Sequence, residues 1–382
     1  MKVITTVAVT MLLGAIVRAT ASFENGVMVP VAPALLSETG LYAEGGTTEI
    51  DPRNRPFSPQ YPLWTDGAAK RRWIRLPEGT AIDATNLSRW DFPVGTRFWK
   101  EFAFDGRKVE TRMLWRVSAD RWVFASYAWN EAQTDAALAP ESGIPNIVEV
   151  APGKRHSIPG IADCRACHDS GRTEILGFNA LNLSDDRDPN APHAETLTAD
   201  MLTLKRLMKE NLITPKRTAL IRTPPRINAS SPEARAALGY LSTNCGNCHN
   251  PESSLASLGL NLKYEVAGSG KRPFDRLRAA PSGVEGREPG ASECAPALVT
   301  TAGKRGHWVV PEAQEESRLI NPGKPEASAV IRRVKSRRPL SQMPPMGSVV
   351  VDKQGVDLLT AWVNANPDQW EALIARCAAG AS

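Results

Sequence analysis

The chain has 382 residues, 42% of them hydrophobic and 23% charged, which is enough apolar material for two or three folded domains and excludes a disordered chain. Its formal net charge of +5 is too mild to mark a nucleic-acid-binding protein. Thirty prolines and a low aromatic content of 6% point to a loop-rich chain whose cores are helped by cofactors.

The N-terminus has the pattern of a secretory leader. Lys2 is followed by an apolar run from Val3 to Val17, and Ala19-Thr20-Ala21 offers small residues for cleavage. A leader over 1–21, cleaved near Ala21, implies a periplasmic or secreted protein; an uncleaved anchor is the alternative. No other segment approaches the roughly 18–20 apolar residues of a membrane span. Loss of Lys2 and Arg18 leaves 44 basic groups against 41 acidic, a net charge of +3.

Residues 22–60 read as irregular, with loop chemistry at 45–48 and 52–56. Residues 61–150 read as an antiparallel β domain that carries seven of the ten tryptophans, Trp64 to Trp129. Lys108 to Val117 alternates strictly. Val109, Thr111, Met113, Trp115 and Val117 share one side, while Lys108, Glu110, Arg112 and Arg116 share the other, as in a half-buried strand. Arg97–Phe104 precedes it across the turn Asp105-Gly106. Trp122–Trp129 follows, and Arg71–Leu76 is a further strand candidate. The expected arrangement is a small sandwich. Its tryptophans serve as core, or else as a platform for a sugar or another planar ligand.

From 151 the pattern turns helical. Thr198–Leu212 predicts an amphipathic helix with Met201, Leu204 and Met208 on one face. Ser231-Pro232 predicts a helix start that runs into Cys245. Residues 265–307 read as an insertion. Gln354–Asn364 predicts a helix capped near Asp352, continued by Trp370–Ala378 after Pro367. The domain reading is therefore a leader at 1–21, an irregular segment at 22–60, a Trp-rich β domain at 61–150, a first cofactor region at 151–225 and a second at 226–382. The expected fold class is α+β, an antiparallel β domain followed by a mainly α-helical region.

Two pentapeptides give that region its chemistry: Cys164-Arg165-Ala166-Cys167-His168 and Cys245-Gly246-Asn247-Cys248-His249. Cys-x-x-Cys-His is the attachment signature of c-type haem. The two thiols add across the vinyl groups of the porphyrin, and the adjacent histidine becomes the proximal ligand of the iron. Zinc ribbons place their pairs about 15–20 residues apart, whereas Cys167 and Cys245 are 78 positions apart. A thioredoxin-like pair leaves both histidines unexplained. The expectation is two covalent haems, held by Cys164, Cys167, Cys245 and Cys248, with His168 and His249 on iron. The two remaining cysteines, Cys294 and Cys377, are expected to pair in an oxidising compartment, with free thiols as the alternative.

A sixth ligand is expected on the other face of each haem. Met343, in the Pro-stiffened loop Gln342-Met343-Pro344-Pro345-Met346-Gly347, is the candidate for the second haem, ahead of Met346. For the first haem His193 leads, followed by Met201 and Met208. His156, His307 and an open face complete the field. The run Arg332, Arg333, Lys335, Arg337, Arg338 offers a positive collar for an acidic redox partner, or a merely solvated basic helix.

Tyr61-Pro62-Leu63-Trp64-Thr65-Asp66-Gly67-Ala68, Phe92-Pro93-Val94-Gly95-Thr96 and Trp129-Asn130-Glu131 precede the first haem motif. Leu241-Ser242-Thr243-Asn244-Cys245 and the Met343 loop accompany the second. With these segments the chain resembles an uncharacterised family of bacterial secreted dihaem cytochrome c-domain proteins over roughly residues 55–365. The resemblance implies a β-rich N-terminal region and a class I-like cytochrome c module, with His249 and Met343 as the second haem's ligands. It carries no established activity. The functional expectation is electron transfer between a dehydrogenase or quinol-side donor and a downstream acceptor, with no nucleic-acid partner. A dihaem peroxidase with an open first haem is one alternative. A ligand sensor built on the β domain is the other.

Overall fold

The computed structural model of the chain describes residues 21–24, 27–44, 46–169, 175–266, 294–311, 316–365 and 367–379. The expected leader, apart from Ala21, lies outside the described residues, as does most of the expected insertion. Chain order begins with a hairpin of β1 (Ala21–Glu24) and β2 (Val27–Pro30). Then come β3 (Arg55–Pro56), β4 (Ala69–Arg75), β5 (Ile82–Asp83), β6 (Arg97–Phe104), β7 (Arg107–Arg116), β8 (Trp122–Trp129) and β9 (Ala136–Leu138). A second hairpin, β10 (Ile144–Ala151) and β11 (Lys154–Ile158), leads into α1 (Ile161–His168).

The main sheet is antiparallel, in the order β3-β4-β6-β7-β8-β9. The turn between β6 and β7 is the expected one: Asp105 and Gly106 both take positive φ, 48° and 78°, the geometry that matches the twist of a tight hairpin. The alternation read in β7 holds from Glu110 to Arg116, but an irregularity beside Ala103 turns Lys108 to the other side, where its amine lies 3.4 Å from the centre of the Trp129 ring. Met113 and Trp115 join Trp73, Trp99, Tyr127 and Trp129 on one face, packed against Leu36, Leu41 and Tyr42.

Two expectations for this region are corrected. It is one sheet rather than a sandwich. Its charged face is not solvated either, because Glu110 is fully buried and Arg116 is 8% exposed. On that face Ile74 and Phe98, with Leu114 and Phe124 packed against them, join a core containing Phe178, Leu204, Leu238, Leu359 and Trp362. The core runs across residue 150 without a break.

After α1 come α2 (Leu204–Lys209), β12 (Ile213–Thr214), α3 (Ala219–Arg222), α4 (Pro232–Asn244), α5 (Pro296–Thr301), α6 (Ala329–Lys335), α7 (Lys353–Val363) and α8 (Pro367–Ala379). β12 pairs in parallel with β5. The expectation of a mainly α-helical region is overturned: helix makes up only 25% of the described residues, and the chain is rich in antiparallel sheet. The prolines and the Asp-rich stretch at 185–189 keep long segments between the helices irregular.

The helix expected over 198–212 shrinks to α2. Thr203, not Thr198, is its N-cap, accepting from the Arg206 N–H at 3.3 Å. Asn211, with φ +60°, lies just beyond its end. Met208 is buried in the core, whereas Met201 is only half-buried.

The other helix ends follow their expected chemistry. Ser231 caps α4 through the Ala234 N–H, at 3.1 Å. Asp352 caps α7 through the Gly355 N–H, at 2.9 Å. Cys294 and Cys377 are disulfide-bonded, tying the start of α5 to α8 across 83 positions. On the chain-entropy argument a loop of that length is worth about 4 kcal/mol.

Two glycines set the packing of α4. The ring of Tyr61 lies over Gly239, where a Cβ would stand 2.1 Å from Tyr61 Cε1. The ring of Tyr240 lies over Gly355 of α7, where a Cβ would stand 2.4 Å from Tyr240 Cζ. Gly239→Ala is therefore expected to destabilise the protein by about 1–3 kcal/mol through overpacking. A thermal-melt midpoint equal to that of the parent protein would refute the contact.

Candidate functional site

The first Cys-x-x-Cys-His motif is α1 itself. The Gly160 N–H reaches Asp163 Oδ2 at 3.0 Å and fixes the start of the helix. Cys164, Cys167 and His168 are spaced i, i+3, i+4 and so share one side. They are half-buried, while Ala162, Asp163, Arg165 and Ala166 are exposed. The ring of His168 lies against Phe124 of β8, with centroids 5.4 Å apart. The motif therefore rests on the inner face of the sheet.

The second motif turns out of the end of α4. The N–H groups of Cys248 and His249 both return to the Cys245 carbonyl, at 3.1 and 2.9 Å. Position 246 admits only glycine, because a Cβ there would stand 2.5 Å from the Ser242 carbonyl. Asn250 Nδ2 donates to the carbonyls of Gly246 and Asn247 and closes the turn. His249 is 9% exposed, and its buried Nδ1 has no hydrogen-bond partner among the described residues. Burial, with the nearby Arg333 guanidinium second, pushes its pKa down, so the imidazole is held neutral. A neutral, buried, unpartnered ring nitrogen fits a metal ligand.

The two motifs, read as separate sites, meet. The Cys167 and Cys248 thiols hydrogen-bond to each other. That bond, ahead of burial, raises the pKa of Cys167. Burial first, then the neighbouring Cys248, raises Cys245 to about 12. Burial raises Cys164, partly offset by Arg112. Cys164, Cys167 and Cys245 are therefore held as thiols, and Cys248 lies beside Cys167 and Cys245. Among the described residues no group of three His, Cys, Asp or Glu side chains is arranged to hold a metal ion.

The Tyr61–Ala68 segment clasps this neighbourhood together. Trp64 donates its backbone N–H to Asn244 Oδ1 at 2.8 Å and its indole N–H to the Val350 carbonyl at 3.0 Å. Asp66 Oδ1 accepts the N–H groups of Val349 and Val350, at 2.7 and 2.9 Å. Its Oδ2 lies 3.1 Å from His156 Nδ1, and His156 Nε2 lies 3.1 Å from Glu110 Oε1. Glu110 in turn pairs with Arg112 at 2.5 Å.

Burial alone would push His156 down. The two carboxylates more than offset it and leave the pKa raised. Burial likewise opposes the charged forms of Asp66 and Glu110. For Asp66 the His156 bond and two backbone N–H bonds win; for Glu110 Arg112 and His156 win, and both stay below the usual carboxylate range. This chain was missed in the sequence. Its one signal was the charged side of β7, which reads as a solvent face.

The candidate sixth ligands separate. Met343 is half-buried, and its backbone N–H donates to the Arg333 carbonyl at 3.0 Å. Arg333 is also the cation beside His249, so this loop and the second motif share a neighbourhood. Met346 is 41% exposed.

His193 is tied elsewhere. Its Nε2 lies 2.8 Å from Asp352 Oδ1 and its ring lies 4.7 Å from that of Trp64. Both nitrogens of His156 are likewise committed to carboxylates. Met208 is core, Met201 lines a cleft at the sheet edge, and His307 is exposed between α5 and α6 in the sequence.

The basic run does not form an open collar. Arg332 and Lys335 share Glu326, at 3.3 and 2.9 Å. Arg333 stacks on Trp308, and Arg337 turns inward to the Val350 carbonyl at 2.8 Å. Arg338 is left exposed.

The chain Asp66–His156–Glu110–Arg112 sets a pH dependence. A raised His156 pKa gives stability that is full below its unfolded value of about 6.5 and is lost as pH rises through the folded value. The lowered carboxylates give stability that is present above about 4.5 and is lost on acidification. Thermal midpoints are therefore expected to be highest between about pH 4.5 and 6.5 and to decline above it. His156→Gln should lower the midpoint and flatten the alkaline decline; an unchanged slope would exclude His156 as its source. Compared with family models, with curated proteins and with solved structures, the chain matches none.

Proposed function

We propose that this protein is an extracytoplasmic dihaem c-type cytochrome that carries electrons between redox partner proteins. The observation that carries the reading is the meeting of two Cys-x-x-Cys-His motifs, Cys167 against Cys248, beside a buried His249 with an unpartnered nitrogen. Chance spacing does not account for two such motifs converging from segments about 80 positions apart.

A bound c-type haem supplies one-electron ferric–ferrous chemistry. The chain's own residues do the rest. Cys164 and Cys167 on α1, and Cys245 and Cys248 at the end of α4, supply the thiols for thioether bonds. His168 and His249 stand on the same side as their cysteines, as proximal ligands must. Met343 is the distal ligand we assign to the second site, because its loop is anchored at Arg333 beside His249. The contact of Cys167 with Cys248 sets the two attachment segments side by side, so haems held there would lie close enough to exchange electrons. The inner face of the sheet and the core around Leu238 and Leu359 would shield the buried side of each site.

A second reading has one observation in its favour. Among the described residues, both nitrogens of His156 and the Nε2 of His193 are already engaged. The first site then keeps an open distal face, as a peroxidase would need.

Expression of the full chain with a periplasmic haem-attachment system tests both readings. The intact mass of the purified protein is expected to include two haems. Cys164→Ser with Cys167→Ser removes one, and Cys245→Ser with Cys248→Ser removes the other. A mass that corresponds to bare protein, or to a Cys167–Cys248 disulfide, would sink the cytochrome reading. Met343→Leu should abolish the methionine–iron charge-transfer band of the oxidised protein. A high-spin ferric spectrum that responds to peroxide would select the enzyme over the carrier.

A further inference from the structure

The inner face of the sheet carries a row of cations. Register places Arg72 of β4 opposite Lys100 of β6, and Lys100 opposite Arg112 of β7. Like charges directly across adjacent strands repel, so three in succession on a covered face need an anion. Lys70 belongs to the next row on the same face, opposite Phe102. The Lys100 ammonium and the Arg112 guanidinium stand 4.9 and 4.3 Å from the centre of the Phe102 ring.

Two of these four cations have protein partners. Arg72 pairs with Glu195 at 2.6 Å and Arg112 with Glu110 at 2.5 Å. Among the described residues Lys70 and Lys100 have no ion pair and no hydrogen bond. Four cations against two carboxylates leave two positive charges unmatched. Burial is the main cause pushing Lys70 down to about 8 and Lys100 well below the usual amine range. Both lysines are half-buried, so their charge is only partly covered by water and, among the described residues, no carboxylate pairs with it.

The row lies beside the first motif. Arg112 is close enough to Cys164 and Cys167 to feel both sulfurs. Arg112 also pairs in register with Ser126 of β8, two residues along from the Phe124 that touches His168. Two residues along a strand span about 7 Å. Lys70 and Arg72 continue to the sheet edge, where they line a cleft of about 790 Å³ together with Glu195. The cations therefore extend away from the attachment cysteines across the face on which the first motif rests.

We propose that Arg72, Lys100 and Arg112, with Lys70 beside them, form the cradle for the two propionate carboxylates of the haem attached at Cys164 and Cys167. The inference rests on the dihaem reading above and assigns the anion that the cradle takes. Propionates leave the porphyrin on the side away from its vinyl groups, so a haem bonded at α1 and lying on the sheet carries its two negative charges toward the row. They match the two unpaired cations in number. The fit gives the charged side of β7 a role that neither a solvent face nor an apolar core explains.

The test is a potentiometric titration of the full-length holoprotein, with its two haems first counted by mass. A cation beside a propionate favours the reduced iron. Lys100→Met is expected to shift one of the two couples at least tenfold toward the oxidised form, about 59 mV for one electron. The other couple should stay in place, and Lys100→Arg should restore the parent value. Should Lys100→Met fail to mature, Lys70→Gln is read in the same way. Two attached haems whose potentials are unmoved in both lysine variants would overturn the cradle and leave the cytochrome reading standing. A parent protein without haem would overturn the cytochrome reading itself. Stabilisation by added succinate that is lost in Lys100→Met, with unmoved potentials, would assign the cradle to a free dicarboxylate and overturn the propionate assignment.

Discussion

Asp66 is a carboxylate enclosed by three segments far apart in the chain, and the arrangement of the interior follows from how it is satisfied. Two backbone N–H groups of the 349–350 segment bind one oxygen and His156 binds the other. A buried charge without such partners costs several kcal/mol, and removal of one partner strands the others. The strand before α1, the turn after Trp64 and the loop that ends at Asp352 are therefore locked to one another. The chain continues through Glu110 to Arg112, at the centre of the main sheet. One line of alternating charge thus runs from the methionine loop to the floor beneath the first cysteine motif.

The sheet separates two kinds of interior. Its outer face is mainly apolar and aromatic, closed by Leu36, Leu41 and Tyr42, with one buried carboxylate, Glu101, paired with Arg71. Its inner face mixes Phe98 and Phe124 with the charged residues of β4, β6 and β7. Apolar packing gives that side its cohesion. The ionic residues give it a fixed register, because a one-residue slip of β7 would bring Glu110 and Arg112 among the tryptophans. Both cysteine motifs collect on the inner side, with the buried pairs of Glu110 with Arg112 and Arg72 with Glu195.

Much of this could be read from the sequence, for reasons that are local. The β6–β7 hairpin is written in Asp105-Gly106 and in period-two alternation. The starts of α4 and α7 are written in Ser231-Pro232 and Asp352. The cysteine motifs are contiguous and carry their own chemistry. What escaped was non-local. Nothing near Cys167 in the chain announces Cys248, and nothing near Glu110 announces His156. The alternation of β7 gave the correct sides from Glu110 onward but not for Lys108, which a register shift turns over, and not what covers the charged side, since a charged face buried against another segment has the same pattern as a solvated one. The helix expected at 198–212 failed because Met201 fits the helical period while the capping chemistry sits at Thr203. Period alone was too weak a guide in a chain so rich in proline.

The contact between Cys167 and Cys248 bears on how the protein must be made. In an oxidising compartment, two thiols within bonding reach can lose two electrons and two protons to any disulfide oxidant. The same compartment is where Cys294 and Cys377 are joined. A chain that folded before receiving its cofactors would hold Cys167 and Cys248 side by side and close them irrelevantly, spending one thiol from each motif. The raised pKa of Cys167 slows that loss only while its thiol stays protonated. On the dihaem reading the order of assembly is therefore part of the design: attachment comes first on an open chain, and the fold then closes over sulfurs that can no longer be oxidised into the wrong bond.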